Sequence, residues 1–499
     1  MPLLVYLFVS GMLLGPEAPV GTLLHIRLTT TVGSYASRKN SLVSAVLIAP
    51  VNIGGETVIP AGSTLSGTIA TVKRVGFGIV HETATLALDF DRITLPDGQT
   101  LPIGSRVTEV DNSRERVSKD GDIHGVRTTG CISYRVSGYI RTLILWYVHA
   151  ELAEWIVKSL LVQVPEPEIY YPAGVELTLR LTSPMHSPLN LVSQPLAPRL
   201  DGEQREGIGK LAAALPKRAY AAASGKPSDV INVLFTGSRD QLDAAFSAAG
   251  WAQAQPTTFR TGILGIRAVA ENRGYRRAPM SALQVNGSDP DMYWEKGLND
   301  MSKRHHIRIW RQSETWDGRQ VWIGAATRDI DFAYLRPGSP VTHRVAADVD
   351  LERDKVANDI AFANCAGHVD WVNRPGVPRV VRNATGDYMS TDGRVAVIEM
   401  NTCTEPRITT EDLDGDPLPV HGGRLRRFAR REILSARSDL LRTNIYWRTY
   451  EGVRWTVSAI REKRRALRQA RILKDAPPTA VLHPVALASA QPAGSPGLP

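Results

Sequence analysis

The chain has 499 residues, 43% of them hydrophobic and 22% charged, which suits several folded domains and excludes a disordered or wholly membrane-embedded protein. Its net charge of +9 is unevenly placed: between Arg424 and Lys474 sixteen Lys and Arg stand against four Asp and Glu, so the remainder sums to −3. The folded body therefore has no electrostatic reason to seek nucleic acid, and nucleic acid is not an expected partner.

Residues 1–18 open with MPLLVYLFVSGMLLG, an apolar run of signal-peptide length. It is short for a bilayer-spanning helix, which needs about twenty residues. Export is the expectation, and a buried first strand is the alternative.

From 19 to 186 a weak repeat sets the pattern. Pro19-Val20-Gly21 precedes Leu24, Ile26 and Leu28. Pro60-Ala61-Gly62 precedes Leu65 and Ile69 with Gly67 between them, and Pro172-Ala173-Gly174 precedes Leu177, Leu179 and Leu181. A Pro-x-Gly turn followed by alternation at period two predicts a strand with one buried face. Further strands are expected over 42–48 and 84–90, with a hairpin at Pro96-Asp97-Gly98. This reads as an all-β sandwich or barrel.

One insertion departs from that pattern. Residues 139–163 are helix-like, free of Gly and Pro, and apolar apart from His149, Glu151, Glu154 and Lys158. Those charges argue against a simple transmembrane span. The helix would cover an open end of the sheet, or engage a membrane or partner through Trp146 and Trp155.

The strings GTLLHIRLTTTVGS, VIPAGSTLSGTI, ITLPDGQTLPI and YYPAGVELTLRL, spread over about Gly21 to Pro184, resemble the β-barrel domain of the TrbI-like channel subunits of conjugation and type IV secretion machines. That resemblance implies a barrel whose inserted helix belongs to a membrane pore.

Residues 187–228, rich in Pro, Ala, Gly and Ser, are expected to be a linker. An α+β domain is expected over 229–403. DVINVLF makes a strand, Thr236-Gly237-Ser238 a turn and helix cap, and the helical spacing after Gln241 ends at Gly250. Strands follow over 305–310, 320–326 and 341–345, with a helix over 350–363, and the helices are expected on one face of the sheet.

VLFTGSRDQLDAAFSAAGW, KRHHIRIWR, VWIGAATRDIDF, VTHRVAADVDLERD and NATGDYMSTDGRVAV closely resemble the LssY carboxy-terminal domain family over roughly Pro227 to Met400. The resemblance implies an α+β fold and a tie to secretion, because the family's namesake is encoded with a type I secretion system. It implies no reaction.

Within this domain RHHIRIW alternates on a strand, placing Arg304, His306, Arg308 and Trp310 on one face and His305, Ile307 and Ile309 on the other. His305 reads as a satisfied core histidine. His306 between two arginines could hold an anionic group such as phosphate or carboxylate, or stack in ion pairs with Asp329, Asp331 or Asp348. Asp350 reads as a helix N-cap with Glu352 in the first turn. A divalent metal on His343, Asp348 and Asp350 is the sharper alternative. The candidate ligand-binding residues are thus Arg304, His306, Arg308, His343, Asp348 and Asp350. No catalytic residue is assigned, and no cofactor is expected. Walker A, G-x-S-x-G, H-E-x-x-H and C-x-x-C strings are all absent from the sequence.

The three cysteines, Cys131, Cys365 and Cys403, cannot alone build a disulfide framework or a closed tetrahedral metal site. One bridge between Cys365 and Cys403 would fit an oxidising compartment, and free buried thiols would fit as well.

Residues 424–475 interleave Arg with apolar and aromatic side chains, ending in the basic helical string REKRRALRQARILK. Such a segment lies on anionic lipid, with Trp447 and Trp455 at the interface, or packs on the acidic body. Residues 476–499, rich in Pro and Ala, are expected to be disordered. The expectation is a multidomain protein: an N-terminal all-β sandwich or barrel with an inserted helix, an α+β domain, and a basic helical tail. It would be a non-enzymatic binding or assembly component of a bacterial cell envelope, periplasmic or peripherally membrane-associated and tied to secretion. Its partner would be an envelope or secretion-related protein or an anionic ligand. The alternative is a hydrolase acting on a phosphorylated lipid or sugar through the His/Arg/Asp cluster.

Overall fold

Each Pro-x-Gly unit closes a turn. Gly21, Gly62 and Gly174 adopt φ of 94°, 88° and 97°, a region that favours glycine, and the residue after each donates its N–H back to the proline carbonyl. The strands that follow are β1 (Leu23–Leu28), β3 (Thr64–Lys73) and β9 (Glu176–Leu181). Together with β2 (Leu42–Leu47), β4 (Thr85–Thr94), β5 (Thr100–Pro102), β6 (Ser105–Val110), β7 (Arg116–Val117) and β8 (Ile123–His124) they form one nine-stranded antiparallel sheet. Its order is β6-β9-β1-β2-β3-β4-β8-β7, with β5 on β4. The sheet curls into a nearly closed barrel, and Ser105 at the start of β6 donates to the Phe90 carbonyl of β4. The expected barrel is thus the observed one, filled by the alternating residues: Leu24, Ile26, Leu28, Leu65, Ile69, Leu177, Leu179 and Leu181 are all buried.

The computed structural model describes residues 16–78, 81–128, 165–187, 195–334, 341–404 and 424–443, with scattered positions between 449 and 467. The insertion at 139–163, residues 1–15 of the expected signal peptide (1–18), the terminal residues 476–499, and Trp146, Trp155, Trp447 and Trp455 lie outside the described residues. The last part of the expected signal peptide, Glu17–Ala18, pairs as a short strand with Met185–His186. Among the described residues no helix is long and apolar enough to cross a membrane.

The stretch read as a linker contains structure. Asp201 caps helix α1 (Gly202–Ala214) through a capping box with Gln204, and strand β10 (Arg218–Ala221) follows. Composition misled here because α1 is small-residue-rich and buries little more than Ile208 and Ala212. Its C-terminal carbonyls are gathered by the buried guanidinium of Arg374, which donates to Ala212, Leu215 and Pro216, and also to Ile231. Burial pushes Arg374 down to about 10, still charged at neutral pH.

The α+β domain is built on β12 (Val233–Thr236), β13 (Ala252–Gln253), β15 (Met292–Lys296), β16 (Arg304–Trp316), β17 (Arg319–Tyr334), β18 (Val341–Val345), β19 (Ala366–Asn373) and β20 (Arg394–Met400). The order is β13-β15-β16-β17-β12-β20-β19, with β18 on β17, and only the β12–β20 pair is parallel. Helices α2 (Arg239–Ala248) and α4 (Asp350–Phe362) cover one face, over Phe235, Ile307, Ile309 and Ile398. The other face, carrying Leu234, Trp310, Ile323 and Val397, is covered by α1 and a small sheet of β11 (Pro227–Val230), β10 and β14 (Leu283–Gln284). The expectation of helices on a single face is therefore corrected: α1 shields the second one. Ser238 caps α2 as expected, and Gly250 follows it at φ 83°.

Cys365 and Cys403 are joined by a disulfide that ties the start of β19 to the segment after β20. Helix α5 (Arg424–Thr443) returns to the barrel, where Arg430 meets Glu166 at 2.6 Å and Glu168 at 3.2 Å, and Leu434 enters the barrel core.

Gly67 marks the closest approach of β3 and β4: a Cβ there would lie 1.9 Å from the Asp89 carbonyl oxygen. Gly67→Ala should destabilise the barrel by about 1–3 kcal/mol or more, measured as a lowered urea midpoint. A wild-type midpoint would show that the two strands part easily.

Candidate functional site

Strand β16 carries charge on both faces, and each face leads to a different cluster. On the α1 side, Arg304 donates from Nη1 to Glu295 (2.7 Å) and from Nε to Asp329 (3.0 Å). Arg308 donates to Asp229 at 3.3 Å and to the Ser281 hydroxyl at 3.0 Å. His306 shares a 2.9 Å hydrogen bond with Thr327, its Nδ1 lying 3.7 Å from Asp329 Oδ2. His343 arrives from β18 and places its own Nδ1 3.5 Å from the same oxygen. Three of the six candidate residues, Arg304, His306 and His343, therefore converge on Asp329, one of the three aspartates weighed from the sequence as an ion-pair partner, while Arg308 beside them pairs with Asp229.

The cluster lies in the interior: Arg304, His306, Arg308, Glu295, Asp329 and Asp229 are all buried. Burial, aided by the Arg308 and Arg304 charges, pushes His306 down to about 3, so its ring is neutral at physiological pH. Burial alone would raise Asp329, but His306, His343 and Arg304 hold it at about 2. Glu295 goes the other way, pushed up to about 8 by burial in spite of Arg304. The two arginines are met from within: Asp329 carries the negative charge, Asp229 pairs with Arg308, and Glu295, largely protonated at neutral pH, accepts a hydrogen bond from Arg304.

Asp348 and Asp350 do not join them. The N-cap position is Val349, not Asp350, and makes no side-chain cap bond; Asp348, one residue earlier, caps the helix instead by accepting the Asp350 N–H at 3.0 Å. Asp350 sits inside the first turn of α4, accepting from Arg353 (3.1 Å), Thr391 (2.8 Å) and the Asp392 N–H (2.5 Å). Burial and Asp392 raise Asp350 to about 6. His343, Asp348 and Asp350 form no common centre, and among the described residues no group of three or more His, Cys, Asp or Glu is placed to hold a metal ion.

The other face of β16 meets the barrel. His305 Nε2 lies 2.7 Å from Asp111, just past β6, and its Nδ1 lies 2.6 Å from Glu352 on α4. A neutral imidazole has one N–H, so two carboxylates at these distances require the imidazolium. Arg328 of β17 binds Glu109 at 2.5 Å and Asp111 at 2.9 Å. Beside this set, Glu176 of β9 accepts from Arg27 of β1 (2.7 Å), Lys296 of β15 (2.6 Å) and Lys355 of α4 (2.5 Å). Lys296 and Lys355 also reach Asp359, at 3.0 and 3.4 Å. The first set has two cations and three carboxylates, the second three cations and two carboxylates, and together they are neutral.

Hydrogen bonds outside these ion pairs extend the seam. Asn112 donates to the Lys296 carbonyl at 2.9 Å, Arg114 to the Asn272 carbonyl at 2.7 Å, and Asn299 to Glu115 at 2.8 Å. Apolar contact includes a patch where Val46 and Ile48 of the barrel meet Phe362, and Leu298 packs against the barrel core. The residual cavity between the domains, lined by Asp111, Glu176 and Lys296 among others, is about 30 Å³, the share of a single water.

Sequence reasoning missed this interface apart from His305. Its one local signal is in α4, where Glu352, Lys355 and Asp359 recur at spacings of three and four and so form a charged stripe beside the apolar one of Val356 and Ile360.

Lys296→Met should leave Glu176 and Asp359 under-compensated and cost about 3–5 kcal/mol, read from chemical unfolding. For His305, burial opposes protonation but Asp111 and Glu352 outweigh it, so its pKa is raised above 6.5. Its contribution is full below about 6.5, the unfolded value, and is lost as pH rises through the folded one. Asp111, by contrast, is resisted by burial but lowered by His305 and Arg328, so its contribution is lost as pH falls. The melting temperature lost on His305→Gln should therefore be largest in mildly acidic buffer and shrink towards alkaline pH; a pH-independent difference would mean a neutral ring.

Residues 213–395 match the family model described as the LssY C-terminus, beginning earlier than the sequence strings suggested and taking in β10. No curated protein matches the chain. Among solved structures it is similar to ComB10 of the Com type IV secretion system of Helicobacter pylori, at 11% identity and a TM-score of 0.21, over 35% of this chain and 93% of that one. An overlap that small carries no argument.

Proposed function

We propose that this chain, whose residues 213–395 match the LssY C-terminus family, is a non-enzymatic binding or assembly component of a cell envelope. The observation that carries the reading is the use to which its charged residues are put. His305, Arg328, Lys296 and Lys355 hold the barrel against the α+β domain, and Arg304, His306 and Arg308 are neutralised inside the second domain. A hydrolytic centre on His306, Arg308, His343 and Asp348 would need these groups open to substrate and close together. Instead His306 and Arg308 are buried and Asp348 caps α4.

The Cys365–Cys403 bridge supports an oxidising compartment, because such bonds persist outside the reducing cytosol. On this reading the barrel and the second domain act as one rigid part that docks an envelope or secretion-related protein. Helix α5 is anchored at Arg430, and the basic sequence that continues to residue 475 is of the kind that binds anionic lipid.

Fractionation of cells expressing the tagged full-length chain, with sequencing of its amino terminus, tests the compartment. We expect a processed terminus in the periplasmic or membrane fraction and, after crosslinking, a complex larger than one chain. An intact Met1 in the cytoplasm with reduced thiols would overturn the proposal.

A further inference from the structure

Helix α3 (Phe259–Ala270) presents its apolar residues to solvent. Thr258 caps it through a box with Thr261, and its inward side is small: Thr261 and Ala268 are the residues it buries. On the outward side Phe259, Ile263 and Ile266 are 87%, 48% and 73% exposed. Spacings of four and three put these three side chains on one stripe, roughly opposite Thr261 and Ala268. A surface helix of a globular domain normally shows the reverse arrangement, apolar inward and polar outward.

The flank of the stripe is basic. Arg260 and Arg267 lie on the same side of it by helical spacing, and Arg273 follows the helix. Across residues 259–273 there are three arginines and one acidic residue, Glu271. Glu271 is buried and already binds Arg267 at 2.6 Å and Arg273 at 2.7 Å. The rim therefore keeps an excess of positive charge. A second copy of the same face would set arginine against arginine, so self-association does not suit it. An aromatic and two branched aliphatic residues between arginines suit the headgroup boundary of an anionic bilayer, where apolar side chains enter the acyl region and guanidinium groups meet phosphate.

We propose that α3 is a membrane-docking element, lying flat on anionic lipid with Phe259, Ile263 and Ile266 inserted. The inference rests on the envelope assignment and adds to it a contact outside the basic tail. Each arginine near the surface strengthens binding about fivefold, and salt weakens that share.

The test is co-sedimentation of the full chain with vesicles of phosphatidylcholine, alone or mixed with phosphatidylglycerol. The wild type should bind the mixed vesicles, lose binding at high salt, and ignore phosphatidylcholine alone. Phe259→Glu/Ile266→Glu should weaken binding by about tenfold or more with an unchanged melting temperature, since both side chains are exposed. Should the double variant fold poorly, Phe259→Ser alone carries the same expectation with a smaller loss. Wild-type binding to neither vesicle, or equal binding to both, overturns the proposal; the first result would leave an acidic protein as the better occupant. Undiminished binding by the double variant overturns it too and shifts lipid contact to the tail. Neither result bears on whether the amino terminus is processed, so the envelope assignment fails or stands separately.

Discussion

The contact between barrel and second domain is made almost entirely of charge, and the placement of the neighbouring elements follows from it. A barrel that fills its interior with Leu24, Ile26 and Leu28 has to turn Arg27 outward, and β9 likewise turns Glu176 out beside it. Docking a domain on that exterior removes water from ions. Burying ions costs free energy unless each finds an opposite charge in good geometry, and a buried pair is seldom more stable than an apolar contact of the same size. What the ions provide is direction. Glu176 accepts three cations from three elements, and Asp359 pairs with the same three. Few other placements of α4 and β15 against the barrel would satisfy all of these groups.

This constraint explains the helix that periodicity describes poorly. Helix α4 has no single apolar face because it is buried on two sides. Val356 and Ile360 pack on the sheet, while Glu352, Lys355 and Asp359 turn to the barrel. It also explains β16. Charged residues on both faces of a central strand are tolerable only where both faces find counter-ions. The barrel supplies Asp111 to one face, and Asp329 and Asp229 supply the other.

Much of the architecture was legible because its signals are local. The Pro-x-Gly turns, the alternation in β1, β3 and β9, the Ser238 cap and the two faces of RHHIRIW each depend on a few adjacent residues. The barrel, the α+β domain and the convergence of Arg304, His306 and Arg308 followed from them. What the sequence hid is pairing over distance: His305 finds Asp111 and Lys296 finds Glu176 across more than a hundred residues of chain. Helix α1 was hidden differently, since Gly202–Ala214 has the small-residue composition of a linker and becomes a helix through its cap and through Arg374 gathering its last carbonyls.

Buried charge that contributes little net stability still has to be accounted for. In a catalytic cleft such groups are held short of full satisfaction, so that a substrate completes them. At the barrel interface most of the charge is paired within the protein, although Arg328 Nε and Glu352 Oε1 are buried without a hydrogen-bond partner. His305 spends both ring nitrogens on carboxylates, and Glu176 and Asp359 share Lys296 and Lys355 between them. The energy of ordering these side chains goes into holding two domains in one relation. That use suits a part whose task is to present surfaces at a fixed angle to something else. The outward apolar stripe of α3 and the arginines beside it are a surface of that kind: just after the helix, the Asn272 carbonyl is tied to Arg114 on the barrel side.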